Sequence, residues 1–94
     1  MITRMSLDEV RAQIDRIDDE IVTLLARRQR YVREAASYKR DEEAVRASDR
    51  RQALMARLHD RARAEQLAPE VVDATWSAMI DAFIQLELNE HQRG

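Results

Sequence analysis

The sequence has few residues that make turns and none that form disulfides. Its 94 residues include no cysteine, one glycine and one proline. A β-rich fold needs many tight turns, and glycine and proline are the residues that most often make them. This scarcity favours an all-α fold. Residues 1–94 are too few for more than one small domain, and we expect residues 1–5 and 92–94 to be loose at its two ends.

Long apolar runs are absent as well. No stretch approaches the ~18 apolar residues that a membrane span needs, and the N-terminus has no apolar core of a signal peptide. The net charge of −2 gives no general attraction to nucleic acid or to anionic membranes. Together with the lack of cysteine, these features predict a soluble cytoplasmic protein with neither nucleic acid nor membrane as a partner.

Cofactor and metal motifs are also missing. The sequence has no glycine-rich phosphate loop and no nucleophile motif. His59 and His91 are isolated, without the neighbouring histidine or cysteine that a metal site requires. We therefore expect no cofactor and no bound metal.

Three helices are predicted from the apolar spacing. The first runs over about 6–39 and starts at Ser6, whose hydroxyl can cap it. Residues 40–48 are polar and lack a clear period, so a loop is expected there. The second helix covers about 49–65, and the third covers about 69–91 with the proline in its first turn.

Charged residues interrupt the apolar faces of two helices. The first helix carries a seam of apolar residues spaced by three and four: Leu7, Val10, Ile14, Ile17, Ile21 and Leu24. Arg28 occupies the next seam position, and Glu87 falls on the apolar stripe of the third helix. A guanidinium is costly to bury without an anion. Arg28 therefore either pairs with an internal acid such as Glu87, fixing helix register, or binds an anionic ligand.

The length of the first helix favours a dimer. At 1.5 Å per residue the helix would be roughly 50 Å long, whereas a compact monomer of this size is about 32 Å across. A second copy of the chain is the simplest cover for the remaining seam. Arg11 lies about 25 Å from Arg28 along the helix, but an antiparallel partner would bring its own Arg11 beside Arg28. Lys39 is expected about three turns beyond Arg28 on the same face.

Part of the sequence resembles a known family. The run VRAQIDRIDDEIVTLLARRQRYVREAASYK resembles the first helix of the small all-helical chorismate mutases, with an arginine, an I/L-D doublet, an LL-x-x-R core and a closing lysine. The resemblance continues through VRASDRRQALMARL into the last helix, from about 7 to 90. It implies an intertwined homodimer of three-helix chains that converts chorismate to prephenate, without a cofactor, at two sites between the subunits.

The resemblance also implies roles for individual residues. The partner subunit's Arg11 and Arg28 would bind the two substrate carboxylates, and Lys39 would donate a hydrogen bond to the ether oxygen. Such a rearrangement needs a substrate held in its reactive conformer and cations near the developing charge. The implied catalytic residues are Lys39, Glu87 and Arg28. The implied substrate-binding residues are Arg11, Arg28, Lys39, Arg50, Arg51 and Phe83. Judged by pattern alone, Arg11, Arg50 and Arg51 also fit ordinary surface charges.

Several positions depart from the family pattern. Ala47 and Arg51 stand where the bifunctional bacterial enzymes carry two acids that recognise the ring hydroxyl, and Phe83 replaces a serine. The segment YKRDEEAVRAS looks more like the isochorismate-pyruvate lyase branch, which makes salicylate in a similar cationic pocket. Chorismate and isochorismate thus both remain candidate dicarboxylate substrates. A non-catalytic helical dimer for protein interaction is a third possibility.

Glu87 is the departure with a chemical consequence. The bacterial members usually carry a glutamine there, which donates a hydrogen bond to the ether oxygen. A carboxyl group can donate only when it is protonated. We therefore expect turnover to increase as pH falls, until substrate binding suffers.

Overall fold

The protein is built from helices. The computed structural model describes residues 4–93, and no strand occurs within that range. The helices are α1 (Leu7–Ala36), α2 (Glu42–Arg46), α3 (Ser48–Ala64) and α4 (Pro69–Arg93). The prediction of an all-α fold with three main helices is confirmed, and a short fourth helix is added. The prediction of loose ends concerns in part residues 1–3 and 94, which lie outside the described residues.

Capping explains where α1 begins. The Ser6 hydroxyl accepts a hydrogen bond from the Glu9 backbone N–H at 3.1 Å and donates to the Glu9 carboxylate at 3.2 Å. Asp8 and Glu9 also place negative charge in the first turn, where the helix dipole favours it. Ser6 therefore caps the helix as its sequence position predicts.

The C-terminal end of α1 differs from the prediction. The helix stops at Ala36, and the next three backbone N–H groups donate to carbonyls three positions earlier, which tightens the chain into a turn. The Ser37 hydroxyl also donates to the Glu34 carbonyl at 2.6 Å. Such local bonds compete with helix continuation. Lys39 lies outside the helix, so the prediction that it continues the helical face of Arg28 is wrong.

A short helix occupies the predicted loop at 40–48. Asp41 caps α2, because its Oδ1 accepts from the Ala44 N–H at 2.8 Å. Val45 is buried, whereas the other residues of α2 are charged apart from Ala44, so this five-residue helix gives no period to read from sequence. Ala47 then adopts a left-handed conformation (φ 41°, ψ 60°), and α3 begins at the next residue.

A helix-terminating motif connects α3 to α4. Gln66 is left-handed (φ 58°), and the Leu67 N–H donates to the Ala62 carbonyl at 2.8 Å. The Gln66 N–H donates to the Arg63 carbonyl at 3.3 Å. This pattern is the Schellman motif, in which glycine is the usual left-handed residue. Pro69 begins α4 as predicted.

The chain divides into two units, Met1–Tyr31 and Val32–Gly94. The first unit consists mainly of the N-terminal part of α1, and no residue of α1 is buried. The apolar seam is exposed by 39% at Val10 and by 62% at Leu7, with the other four members between these values. The seam therefore has the spacing of a core-facing surface but remains accessible to solvent in one chain.

The second unit contains the core. Here α3 and α2 pack against α4. The buried cluster consists of Val45, Leu54, Ile80 and Ile84, with Met55, Leu58, Trp76 and Leu88 packed against it. None of the helices in the described part of the chain is long and apolar enough to cross a membrane.

Candidate active site

Glu87 is a charged residue buried in the second unit. Only 4% of the residue is exposed, and it lies on the same side of α4 as the buried residues Ile80 and Ile84. A carboxylate in such surroundings needs a hydrogen-bonding or charged partner. The sequence prediction that Glu87 falls on the apolar stripe is confirmed by its burial.

Lys39 supplies that partner. Its ammonium nitrogen Nζ lies 3.0 Å from Oε2 and 3.3 Å from Oε1 of Glu87. The Lys39 side chain is 24% exposed and that of Glu87 is 6% exposed, so the pair lies at the edge of the core. The structure thus brings together two of the residues proposed for catalysis, although α1 does not carry Lys39.

Arg51 is engaged elsewhere on α4. Its Nη1 donates to Asp81 Oδ1 at 2.7 Å, and its Nη2 lies 3.5 Å from the Ser77 carbonyl oxygen. Asp81 precedes Glu87 by about 9 Å along the helix axis. The neighbouring Arg50 is exposed. Substrate binding by Arg50 or Arg51 stays a prediction. Arg51 would have to contact the substrate through N–H groups that do not bond to Asp81 or Ser77.

The other predicted residues are distributed over both units. Arg11 is exposed and Arg28 is partly buried, and they are about 25 Å apart along α1. One small ligand cannot contact both of them in a single chain. Phe83 is partly buried one helical turn before Glu87. The roles of these three residues, and the alternative pairing of Arg28 with Glu87, stay predictions.

A cleft elsewhere in the second unit is not the candidate site. It has a volume of about 260 Å³ and is lined by residues that include Leu58, Ala62, Val72 and Trp76. Trp76 precedes Glu87 by about 16 Å along α4. Because neither Lys39 nor Glu87 lines this cleft, we do not assign it to the substrate.

Sequence reasoning missed one ion pair close to the candidate site. Arg33 Nε lies 3.0 Å from Glu90 Oε1. Arg33 lies off the apolar seam of α1, and Glu90 follows the last position of the α4 stripe that was read from the sequence, so neither was separated from ordinary surface charges. Glu90 follows Glu87 by one turn of α4.

The comparison with known families decides the assignment. A family model described as chorismate mutase type II matches residues 10–88, a range that includes every predicted site residue. The chain belongs to the chorismate mutase type II family. Membership supports chorismate mutase activity in general and agrees with the all-α fold. It gives no support to the isochorismate-pyruvate lyase branch, and no individual curated protein matches the chain.

Proposed function

We propose that this chorismate mutase family member rearranges chorismate to prephenate in a cationic site that includes Lys39 and Glu87. The observation that carries the proposal is the contact between the Lys39 ammonium and the buried Glu87 carboxyl. The contact holds the ammonium beside a buried carboxylate at the edge of the core, where water is partly excluded. A preorganised donor in such surroundings stabilises developing negative charge more strongly than it would in water.

The reaction breaks the ether C–O bond and forms a C–C bond within one molecule. Neither a nucleophile nor a proton acceptor is needed, and the ether oxygen gains negative charge as its bond lengthens. Lys39 has three N–H donors and no acceptor. It can therefore donate to Glu87 and to the ether oxygen at the same time. Arg28 would bind a carboxylate of the substrate through its planar fork of donors.

Glu87 would act in two protonation states. When ionised, it accepts the hydrogen bonds of Lys39. When protonated, it can donate its own hydrogen bond to the ether oxygen, as an amide at this position would. The proposed donor role carries the expectation that turnover increases as pH falls, until substrate binding suffers.

The proposed site also requires a second copy of the chain. The six residues of the α1 seam remain exposed in one chain although they have the spacing of a buried face. Fully burying one such side chain contributes about 1.5–3 kcal/mol, so covering the seam would stabilise a dimer substantially. In an antiparallel arrangement the partner subunit's Arg11 would bind the second carboxylate. This arrangement would join residues that one chain keeps about 25 Å apart.

A direct assay tests the proposal. Purified protein is given chorismate and isochorismate separately, and prephenate, salicylate and pyruvate are measured. Prephenate from chorismate is expected. Salicylate from isochorismate without any prephenate from chorismate would contradict the proposed reaction.

A binding measurement separates an enzyme from a non-catalytic dimer. A bicyclic dicarboxylate that mimics the transition state should raise the melting temperature, because a ligand that binds only the folded protein stabilises it. The same compound without its carboxylates is the control. An unchanged melting temperature at millimolar mimic would contradict an active site.

A further inference from the structure

We infer that Arg33 and Glu90 are positioning residues for Lys39. The inference rests on the proposed function, since it assumes that the Lys39 ammonium acts on the substrate. The observation behind it is that two cation–carboxylate links join one short segment to one region of α4. Arg33 to Glu90 is the first link, and Lys39 to Glu87 is the second.

Lys39 needs such support because no helix holds it. Its backbone N–H donates to the Ala36 carbonyl at 3.1 Å, and the two preceding residues make equivalent bonds to Glu34 and Ala35. The Ser37 hydroxyl adds a bond of 2.6 Å to the Glu34 carbonyl. These bonds fix Lys39 relative to the last turn of α1. They do not fix that turn relative to α4.

Arg33 provides the missing connection. It lies in the last turn of α1, and its Nε donates to Glu90 Oε1 at 3.0 Å. Glu90 is one turn beyond Glu87 on α4, so this bond anchors the turn next to the carboxyl that Lys39 must reach. A long lysine side chain has much rotamer freedom to lose. Anchoring its backbone reduces the number of positions from which the ammonium can reach Glu87 and the substrate.

The Arg33–Glu90 pair is expected to affect catalysis more than the free energy of folding. The side chains of Arg33 and Glu90 are 49% and 40% exposed, and exposed ion pairs contribute little to the free energy of folding. A displacement of about 1 Å at a catalytic group, by contrast, can lower the rate by as much as ~100-fold. The effect of the pair is therefore expected in kcat.

Glu90→Gln is the test variant. We expect kcat to fall about tenfold with little change in KM, because the donor to the ether oxygen is displaced while the carboxylate contacts remain. The melting temperature should stay close to that of the wild type. Glu65→Gln, which removes the exposed pair with Arg61 on α3, is the matched control and should leave kcat unchanged.

A double-mutant cycle separates positioning from a general structural effect. If Glu90 acts through Lys39, then Glu90→Gln should have no further effect on kcat in a Lys39→Ala background. An equal loss of kcat in both backgrounds would overturn the inference, as would an unchanged kcat in Glu90→Gln alone. Exchanging the charges, with Arg33→Glu and Glu90→Arg combined, should restore most of the rate.

The proposed function is judged by a different result. Wild-type protein that makes no prephenate from chorismate contradicts the proposed reaction. Active wild-type protein with no response to Glu90→Gln contradicts only the positioning role.

Discussion

The Lys39 ammonium lies 3.0 Å from Oε2 of Glu87, joining the turn after α1 to a buried carboxyl on α4. The sequence predicts that both residues belong to the site but does not predict that they form an ion pair. The ammonium of Lys39 compensates the buried charge of the Glu87 carboxylate. During the proposed reaction both would also face the ether oxygen, so a change in either residue affects stability and rate together.

Replacing Lys39 should therefore have two effects that can be separated. Lys39→Met leaves Glu87 buried without its counter-ion, and breaking a buried pair in this way costs about 3–5 kcal/mol. Losing the donor to the ether oxygen should also lower kcat by about 10²–10³-fold. Urea denaturation and steady-state kinetics measure the two quantities.

The double variant Lys39→Met with Glu87→Gln is the control. It removes the uncompensated charge and should regain most of the lost stability without regaining activity. Full activity in Lys39→Met would show that the ammonium has no catalytic role.

The pH dependence of turnover should depend on Glu87. Wild-type kcat is expected to increase as pH falls, since only the protonated carboxyl donates to the ether oxygen. The side-chain amide of the Glu87→Gln variant donates at every pH. The variant should therefore show a smaller change of kcat with pH, and its activity at neutral pH should be no lower than that of the wild type. The test is to measure kcat against pH for the wild type and for Glu87→Gln in buffers of constant ionic strength. An equally steep profile in Glu87→Gln would contradict the donor role of Glu87.

If two copies of the chain share each site, two inactive variants should restore activity when they are combined in one dimer. Arg11→Ala and Lys39→Ala should each be nearly inactive. In a mixed dimer one of the two sites has both wild-type residues, so random exchange of equal amounts should restore about a quarter of the wild-type sites. The proteins are unfolded together, refolded and assayed.

The same mixture needs a structural control. Differently tagged chains purified in sequence establish that mixed dimers have formed. If such dimers are as inactive as the separate variants, then Arg11 and Lys39 do not contribute to one shared site.

The left-handed residue after α3 offers a test of the fold that does not involve the site. Gln66→Gly should raise the free energy of unfolding by about 0.5–1 kcal/mol, because glycine adopts positive φ without the steric cost that other residues bear. Urea denaturation measures the change. Glu65→Gly, at the adjacent position with φ −94°, should lower stability instead. Stabilisation by both variants would refute the conformational explanation.

Some of the site follows from apolar periodicity. The stripe of α4 placed Glu87 on a buried face, and the seam of α1 singled out Arg28, because a helix presents every third and fourth residue on one side. Helix length and spacing drew attention to Arg11 and Lys39, and the family resemblance implied their roles. Such signals are strong in long helices with few interruptions, which explains why the three main helices were predicted to within a few residues.

Other features gave no periodic signal. A hydroxyl-to-carbonyl bond at Ser37 and three tight backbone bonds end α1 before Lys39, although no glycine or proline marks the position. The five-residue helix α2 is too short to show a period, so its buried Val45 was not expected. Arg33 and Glu90 resembled any other charged surface residues.

The sequence by itself determined the all-α class, the apolar faces and the charged residues that interrupt them, because these depend on spacing along a helix. Only the tertiary structure decided that Lys39 is the partner of Glu87 and that Arg51 is bound to Asp81. Which side chains far apart in sequence contact each other depends on how the helices pack and on where the chain turns between them. The spacing of residues along one helix does not predict such contacts between different elements.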